Sequence, residues 1–243
     1  MTLLEEARIQ LIKIAEEQKW DQDEKISIVS ARELTPEEAI GKPDRDDYPL
    51  LTGKEVLMEA KFRDGVGQAF TDQAGRFEGT LGDVLNLPFD TNFHRAVFVA
   101  TLNAILRSLG QIEATVHCKD KEPALCAKQL PAFIQEKYGR PKIAFIGLQP
   151  ALIEALHNAG SELKVTDMNP ENIGQIRCGV RIEDAALNAE NARWADIVLT
   201  TGSVLVNDSY RELQQGKPVI YYGTTAAGLA KLFDFPRYCV CSR

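Results

Sequence analysis

The sequence has few of the residues and motifs by which enzymes are commonly recognised. Its 243 residues include three histidines, three methionines, two tryptophans and five cysteines. The cysteines are odd in number and none is spaced as Cys-x-x-Cys, so neither a disulfide framework nor a structural zinc site is predicted. No Gly-x-Ser-x-Gly, Walker A or paired-histidine motif occurs, which leaves hydrolase and NTPase functions without local support.

Long apolar runs are also absent. No run approaches the roughly 20 residues that a membrane-spanning helix requires. The first 18 residues, MTLLEEARIQLIKIAEEQ, predict an amphipathic helix and not a signal peptide. Together with the odd cysteine count, this favours a cytoplasmic protein with reduced thiols and no membrane partner.

The net charge of −7 is divided unevenly along the chain. Residues 1–120 contain 14 Lys and Arg against 22 Asp and Glu, a net −8, whereas residues 121–243 contain 14 against 13, a net +1. The acidic half argues against nucleic acid, which requires a basic face. We therefore expect two domains, residues 1–115 and 116–243, and a small molecule as partner; a homo-oligomer is left open.

The first half has the pattern of an α+β domain, with strands first and helices after them. Alternating or short apolar segments predict strands at residues 25–32, 56–62, 65–71 and 76–80, and residues 93–109 predict a long buried helix. Residues 35–53 are rich in Pro, Asp and Gly, which predicts a surface excursion. Pro123 and Pro131 predict two short helices in the connection to the second half.

The second half opens with a βαβ pattern. The apolar residues 143–146 predict a strand buried on both faces, and a helix follows from Pro150 towards Gly160. A second strand ends at Asp167, 20 residues after Gly147, where dinucleotide-binding folds place the carboxylate that holds a ribose. Further strands are expected at residues 180–182, 197–200, 219–222 and 238–241. This alternation predicts a Rossmann-like, doubly wound parallel sheet, and an α/β fold overall.

The turn after the first of these strands lacks the glycines of a dinucleotide site. It reads Gly147-Leu148-Gln149, where Gly-x-Gly-x-x-Gly is the rule. The side chains of Leu148 and Gln149 would hold the backbone away from a pyrophosphate, so tight binding of NAD or NADP is not expected. S-adenosylmethionine stays compatible with the sequence, because methyltransferase-type sites tolerate a less strict loop. The cofactor is therefore unknown.

Ligands of such sheets bind outside the carboxyl ends of the strands. The candidate ligand-binding residues at those ends are Gly147, Asp167, Thr201, Gly202, Ser203, Asn207, Gly223 and Thr224. Each hydroxyl has an alternative role as an ordinary loop or N-cap residue. Asp167 either holds a ribose diol or caps the loop after it, and Asn207 either caps the next helix or faces the strand ends. Asp167 is the best catalytic candidate, because no histidine follows a strand.

Atoms able to bind a soft metal are dispersed along the sequence. They belong to His94, His117, Cys118, Cys178, Cys239 and Cys241. On a strand at residues 238–241, the last two sulfurs would share one face. Buried apolar cysteines are the expectation for most of these, and no direct metal site is predicted. A metal would instead be bound as a preformed chelate.

Four segments resemble a family named for heavy-metal chelation, whose members join an enolase N-terminal-like domain to a Rossmann-like domain. The segments are Gly67–Thr71, Arg95–Leu106, Ala195–Asn207 with Thr201-Gly202-Ser203, and Val219–Phe233, where Thr224 replaces a usual proline. The resemblance implies a ligand cleft between the domains, lined by the strand ends and by Gln68. It also implies binding of a metal chelate or of a siderophore-, flavin- or pterin-like molecule. An enzyme of condensation, hydrolysis or S-adenosylmethionine-type methyl transfer is the alternative.

Overall fold

The two halves of the chain form two β-sheets of different type. The structure is a computed structural model that describes residues 1–21, 23, 28–52 and 55–243. The first sheet is antiparallel and has the strand order β3-β2-β1-β4. Its helices and strands are α1 (Leu3–Glu17), β1 (Ile28–Glu33), α2 (Pro36–Ile40), α3 (Pro49–Thr52), β2 (Val56–Phe62), β3 (Gly65–Thr71), β4 (Arg76–Thr80), α4 (Leu81–Leu85) and α5 (Asn92–Ser108). Of the strand predicted at residues 25–32, residues 25–27 lie outside the described part.

Helix α5 lies directly on strand β3, and small residues make this contact possible. A Cβ atom added to Gly67 would lie 2.2 Å from the backbone nitrogen of Ala104 and 2.3 Å from the carbonyl oxygen of Ala100. Glycine is therefore required at this position in β3. The helix is buried without interruption from Ala96 to Leu106, as its apolar circumference predicts.

The second sheet has the strand order β11-β10-β9-β5-β6-β8-β7. The pair β7–β8 is antiparallel, and the other neighbours are parallel. Its elements are α6 (Glu122–Tyr138), β5 (Lys142–Ile146), α7 (Pro150–Asn158), β6 (Glu162–Asp167), β7 (Ile176–Arg177), β8 (Val180–Asp184), α8 (Asn188–Trp194), β9 (Ile197–Thr201), β10 (Val219–Tyr222), α9 (Ala227–Phe233) and β11 (Arg237–Tyr238). Short 3₁₀ turns cover Ala185–Leu187, Gly202–Leu205 and Ser209–Leu213.

Both faces of the second sheet are buried, as the apolar run in β5 predicts. Ile143 and Phe145 pack into one hydrophobic cluster with α6 and α7, whereas Ala144 and Ile146 pack into another with α5, α8 and α9. Successive residues of a strand point to opposite faces, so one strand contributes to both clusters. The predicted α/β fold class, with a Rossmann-like doubly wound sheet, is confirmed.

The prediction of a surface excursion at residues 35–53 is correct only in part, because the described residues of this range include both exposed and buried side chains. They form α2 and α3, and Ile40, Tyr48 and Leu50 are buried in the same hydrophobic cluster as β5. The content of Pro, Asp and Gly indicated turns correctly. However, the apolar residues between those turns pack against the second sheet, and burial of their side chains holds the segment down.

Two further predictions in the second half are corrected. Pro131 does not begin a second helix but lies inside the single helix α6. The buried residues Leu130 and Ile134 on either side pack into the core, which offsets the roughly 3 kcal/mol that an internal proline costs.

The last strand is shorter than predicted and ends at Tyr238. Beyond it the chain bends, and the Cys239 sulfur lies 2.7 Å from the Ser242 hydroxyl. The backbone of Arg243 then pairs with that of Val116 in both directions. Cys239 and Cys241 are therefore not on a strand, and the expectation that they share a strand face is wrong.

The predicted domain boundary near residue 115 remains a proposal. The chain there runs beside β3, where the Gln68 N–H donates to the Thr115 carbonyl at 3.1 Å. In the described part of the chain, no helix is both long and apolar enough to cross a membrane.

Candidate ligand-binding cavity

A cavity of about 500 Å³ lies at the carboxyl ends of β5, β6, β9 and β10. Strand order reverses between β5 and β9, which is the place where ligands bind in open α/β sheets. The end of β3, helix α3 and Glu55 line the opposite side, so the cavity lies between the two sheets. We call it the site cavity. Residues that line it from the first half include Tyr48, Leu50, Glu55, Phe70, Thr71, Asp72 and Asn92.

Six of the nine predicted ligand-binding residues line the site cavity, and three do not. The six are Gly147, Asp167, Thr201, Ser203, Asn207 and Gly223, and the other three are Gln68, Gly202 and Thr224. The edge of the sheet at which the sequence rule places a site is therefore the edge that carries the cavity. Whether these six residues bind a ligand stays a prediction.

Gln68 has a structural environment instead. Its side chain is 1% exposed, and its amide donates to a Glu59 carboxylate oxygen at 2.9 Å. Its side-chain carbonyl oxygen accepts a hydrogen bond of 2.6 Å from the His117 backbone N–H. Both polar ends of Gln68 are thus used to connect β2 and β3 with the chain between the two halves.

Gly202 and Thr224 lie behind the cavity wall. A Cβ atom at Gly202 would lie 2.9 Å from the backbone nitrogen of Ala226, so the glycine permits a close packing contact. Thr224 is fully buried, and its hydroxyl has no hydrogen-bond partner within the described residues. The neighbouring Thr225 lines the cavity instead.

Asp167 caps the loops on both sides of its position. One carboxylate oxygen accepts from the Leu148 N–H at 2.8 Å, and the other accepts from the Asn169 N–H and the Asn172 amide, each at 2.9 Å. Of the two roles left open by the sequence, the structure favours the cap over the ribose ligand. Both carboxylate oxygens are thus already engaged in hydrogen bonds to the two loops.

Gly147 brings the end of β5 against the end of β9. Its φ of +88° favours glycine, and an added Cβ would lie 2.8 Å from the Thr201 methyl group. At the end of β9, the Thr201 hydroxyl lies 2.9 Å from the hydroxyl of Ser203 in the following 3₁₀ turn, and Thr201 caps this turn by accepting from the Ser203 N–H. Thr201 therefore caps this turn and lines the cavity at the same time.

Asn207 also caps a turn from inside the cavity wall. Its side-chain oxygen accepts from the Ser209 N–H at 3.1 Å and from the Ser209 hydroxyl at 2.7 Å. Its amide nitrogen lies 3.5 Å from the Met168 sulfur, and Met168 lines the same cavity. The cap therefore fixes one end of this side chain and leaves the amide on the cavity side.

Glu55 is the titratable group of the cavity that sequence reasoning missed. It is half-buried and lines the cavity just before β2. Among the described residues, its carboxylate has no hydrogen-bond or ion-pair partner. Burial, with smaller contributions from the Asp167 and Asp72 carboxylates, raises the pKa of Glu55 to about 7. No sequence signal marks Glu55 as a cavity residue, because it follows the segment 35–53, whose composition predicts a surface excursion, and precedes the strand predicted at residues 56–62.

Two other polar side chains of the cavity are neutral near pH 7. Burial lowers the pKa of His117 to about 4, and its Nδ1 lies 3.3 Å from the Ala39 carbonyl oxygen, to which it donates. Burial also raises the pKa of Tyr222 well above its ordinary value, and the hydroxyl donates to the Gly147 carbonyl at 3.0 Å. Charge in the cavity therefore comes from its carboxylates and from Arg177.

The lining is acidic and partly aromatic. Its charged residues are Asp47, Glu55, Asp72, Asp167 and Glu171 against Arg177. Asp47 is paired with Arg45 at 2.8 Å, behind the cavity wall. Tyr48, Phe70, Leu148, Leu152 and Tyr222 supply apolar surface. Such a mixture of apolar walls and a few polar groups is typical of small-molecule sites.

Four of the five cysteines lie at one side of the cavity, although they are far apart in the sequence. Cys118, Cys126 and Cys239 line the cavity, and Cys241 lies beside Cys126. Burial raises the pKa of the Cys126 thiol to about 11 and that of Cys118 further, so both are protonated. Among the described residues, no group of three or more His, Cys, Asp or Glu is arranged to hold a metal ion. Cys178 lies elsewhere, 3.7 Å from an Arg45 nitrogen.

Fold and cavity together define an α/β protein with a cavity between two sheets. Residues 131–240 match the model of the DUF364 family, described as putative heavy-metal chelation. The resemblance found in the sequence is thereby confirmed for this part of the chain. A comparison with curated proteins finds no match.

Solved structures similar to this chain include two from the DUF364 family, both of proteins with unknown function. The one from Pyrococcus horikoshii is 13% identical, with 93% of this chain and 80% of that chain covered and a TM-score of 0.54. The one from Desulfitobacterium hafniense is 14% identical, with 73% and 72% covered and a TM-score of 0.49. A dipicolinate synthase chain from Bacillus halodurans is 14% identical, with 57% and 54% covered and a TM-score of 0.34. The likeness to the Pyrococcus protein shows a shared fold; the two lower scores support no argument.

Proposed function

We propose that the protein binds a polar small molecule or a metal chelate in the site cavity. The observation that supports this most is the position of the cavity, between the ends of β5 and β9 and opposite the first sheet. The family description adds a general role in chelation. A siderophore-, flavin- or pterin-like ligand combines the polar atoms and apolar surface that this lining would recognise.

The cavity offers hydrogen bonds on one wall and apolar surface on the other. Thr201 and Ser203 present hydroxyls, which both donate and accept, and Asn207 presents an amide. Tyr48 and Phe70 face them from the first half of the chain. A chelate presents oxygen and nitrogen atoms on its surface, so hydrogen bonds recognise it without any new bond to the metal.

Thermal shift assays with three probes test this proposal: riboflavin, 6-hydroxymethylpterin and the iron(III) complex of acetohydroxamate. We expect at least one probe to raise the Tm of the wild type, because a ligand that binds only the folded state stabilises it. Metal-free acetohydroxamate and iron(III) citrate show whether the complex itself is bound.

The variant Thr201→Val removes a cavity hydroxyl that also caps a turn. Thr80→Val is its matched control, because Thr80 caps α4 in the same way and does not line the cavity. The stabilisation by the probe should fall in Thr201→Val and persist in Thr80→Val. Equal stabilisation of both variants would place the binding site elsewhere.

An enzyme is the second candidate, and Glu55 is the observation that favours it. A carboxylate with a pKa of about 7 is suited to donate or accept a proton near neutral pH. The enzyme's reaction would be a condensation, a hydrolysis or an S-adenosylmethionine-type methyl transfer. Mass spectrometry of a metabolite extract tests this: catalysis requires masses that are consumed by the wild type and not by Glu55→Gln.

A further inference from the structure

We propose that the site cavity binds a ligand with a positively charged group, such as an ammonium or a cationic chelate, and that Glu55 contacts this group and releases a proton on binding. The inference rests on the proposed binding function and adds the charge class of the ligand. It also assigns a role to a residue outside the strand-end motifs.

The charges of the lining provide the first support. Five acidic residues line the cavity against one arginine, Arg177. Asp47 is neutralised by Arg45, and Asp167 is engaged with three N–H groups. Asp72 accepts from the Asn92 amide at 2.7 Å. Among the described residues, two cavity carboxylates remain without a partner, Glu171 and Glu55; Glu171 is exposed to solvent, whereas Glu55 is partly removed from water.

The position of Glu55 provides the second support. It is placed before β2 on the wall opposite the strand ends, and three titratable groups face it. These are Asp72 at the end of β3, Asp167 at the end of β6 and Tyr222 on β10. None of the three brings a positive charge, so the field at this point in the cavity favours a cation.

Aromatic side chains provide the third support. Tyr48, Phe70 and Tyr222 line the same cavity. Aromatic rings and carboxylates are the groups that recognise ammonium ions in proteins, the rings through the negative charge on their faces. A ligand with an ammonium next to an apolar or aromatic part would therefore use both.

Binding of such a cation should release a proton. Burial and the two neighbouring carboxylates keep Glu55 partly protonated near pH 7. A cation at this point favours the ionised carboxylate, so it displaces the proton. If only the ionised form binds, affinity follows the ionised fraction, which rises about tenfold between pH 6 and pH 8 for a group that titrates near 7.

Three probes of one size separate the charge classes: benzylamine as cation, benzyl alcohol as neutral molecule and benzoate as anion. Their Kd values are measured by protein NMR titration at pH 6 and pH 8. We expect benzylamine to bind about tenfold more tightly at pH 8 than at pH 6, benzyl alcohol to show no such change, and benzoate to bind most weakly at pH 8.

The variant Glu55→Gln should remove the pH dependence of benzylamine binding, while Glu78→Gln, an exposed control outside the cavity, should retain it. Benzylamine affinity that is equal at both pH values in the wild type would overturn the inference. A tenfold change of benzylamine affinity between pH 6 and pH 8 in Glu55→Gln would also overturn it. The same holds if none of the three probes binds. The proposed binding function is tested separately from this inference. If riboflavin, the pterin or the chelate binds to the wild type and not to Thr201→Val, the proposed function is supported even when the benzylamine results overturn the inference.

Discussion

The Asp167 carboxylate accepts a hydrogen bond of 2.8 Å from the backbone N–H of Leu148, the first residue after Gly147 in the turn that follows β5. In dinucleotide-binding sheets, this turn and the helix after it present free N–H groups to a pyrophosphate. Here a carboxylate from the next strand already occupies one of them. Two features therefore oppose a pyrophosphate at this place: the negative charge of Asp167 and the side chains of Leu148 and Gln149.

We predict from this relationship that neither NAD nor NADP binds tightly. Isothermal titration calorimetry at neutral pH should show no saturable heat with either dinucleotide. S-adenosylmethionine, titrated in parallel, has no pyrophosphate and is not subject to this argument. Micromolar affinity for NAD would show that the interpretation of the turn is wrong.

Glu55 should make the folded protein less stable as the pH rises. Its folded-state pKa, about 7, is above the value of 4.5 that is usual for the side chain. The stabilising contribution of the protonated group is therefore present below pH 4.5 and is lost as the pH rises through 7, to a limit of roughly 3 kcal/mol. Denaturant unfolding between pH 4.5 and pH 8 measures this loss.

Glu55→Gln is uncharged at every pH, so its free energy of unfolding should fall less than that of the wild type over this range. The exposed control Glu78→Gln should follow the wild type. Parallel curves for wild type and Glu55→Gln would mean that Glu55 titrates as an ordinary glutamate.

The strand-end half of the cavity could be predicted from the sequence, because it follows from local patterns. An apolar run predicts a buried strand, and the strand ends of a parallel sheet share one edge. This reasoning places Gly147, Asp167, Thr201 and Ser203 at the edge that carries the cavity without any knowledge of tertiary contacts.

The opposite wall could not be predicted, because it depends on contacts between residues far apart in the chain. Tyr48 lies in a segment with turn-forming composition, and the packing of Ile40 and Leu50 against the second sheet holds it at the cavity, which Glu55 also lines. The gathering of Cys118 with Cys239 likewise depends on the pairing of Val116 with Arg243. Neither of these tertiary contacts corresponds to a periodic pattern in the sequence.

His117 should limit stability in acid. Burial lowers its pKa from 6.5 to about 4, so the folded state favours the neutral ring. The contribution of His117 is present above pH 6.5 and is lost as the pH falls through 4, to a limit of roughly 3 kcal/mol.

His117→Gln does not titrate, and its unfolding free energy should decline less steeply than that of the wild type from pH 6.5 to pH 4. His157→Gln is the control, because it replaces a different histidine by the same residue. If His117→Gln and the wild type lose stability in parallel, acid unfolding has another cause.

Asn103 should be a large contributor to the attachment of the C-terminal helix. Its buried amide donates to the carbonyl oxygens of Gln68, Thr224 and Thr225, and its oxygen accepts from the Gly228 N–H at 2.6 Å. Asn103→Ala leaves these backbone groups buried without a partner, at a cost of roughly 2–4 kcal/mol.

Urea unfolding measures this cost, and Asn86→Ala is the matched control. The Asn86 amide makes a single hydrogen bond, to the Gly82 carbonyl within one helical turn, so about 1 kcal/mol is expected. If Asn103→Ala lowers the free energy of unfolding no more than Asn86→Ala does, the role assigned to Asn103 is wrong.

The central claim is that the cavity between the two sheets is the ligand site. A crystal structure of the wild type, grown with the probe that raises the Tm most, tests it most directly. We predict density for the probe inside the cavity, within hydrogen-bond distance of Thr201 or Ser203 and in contact with Glu55. Density for the probe at another surface, with the cavity filled by solvent alone, would contradict the account.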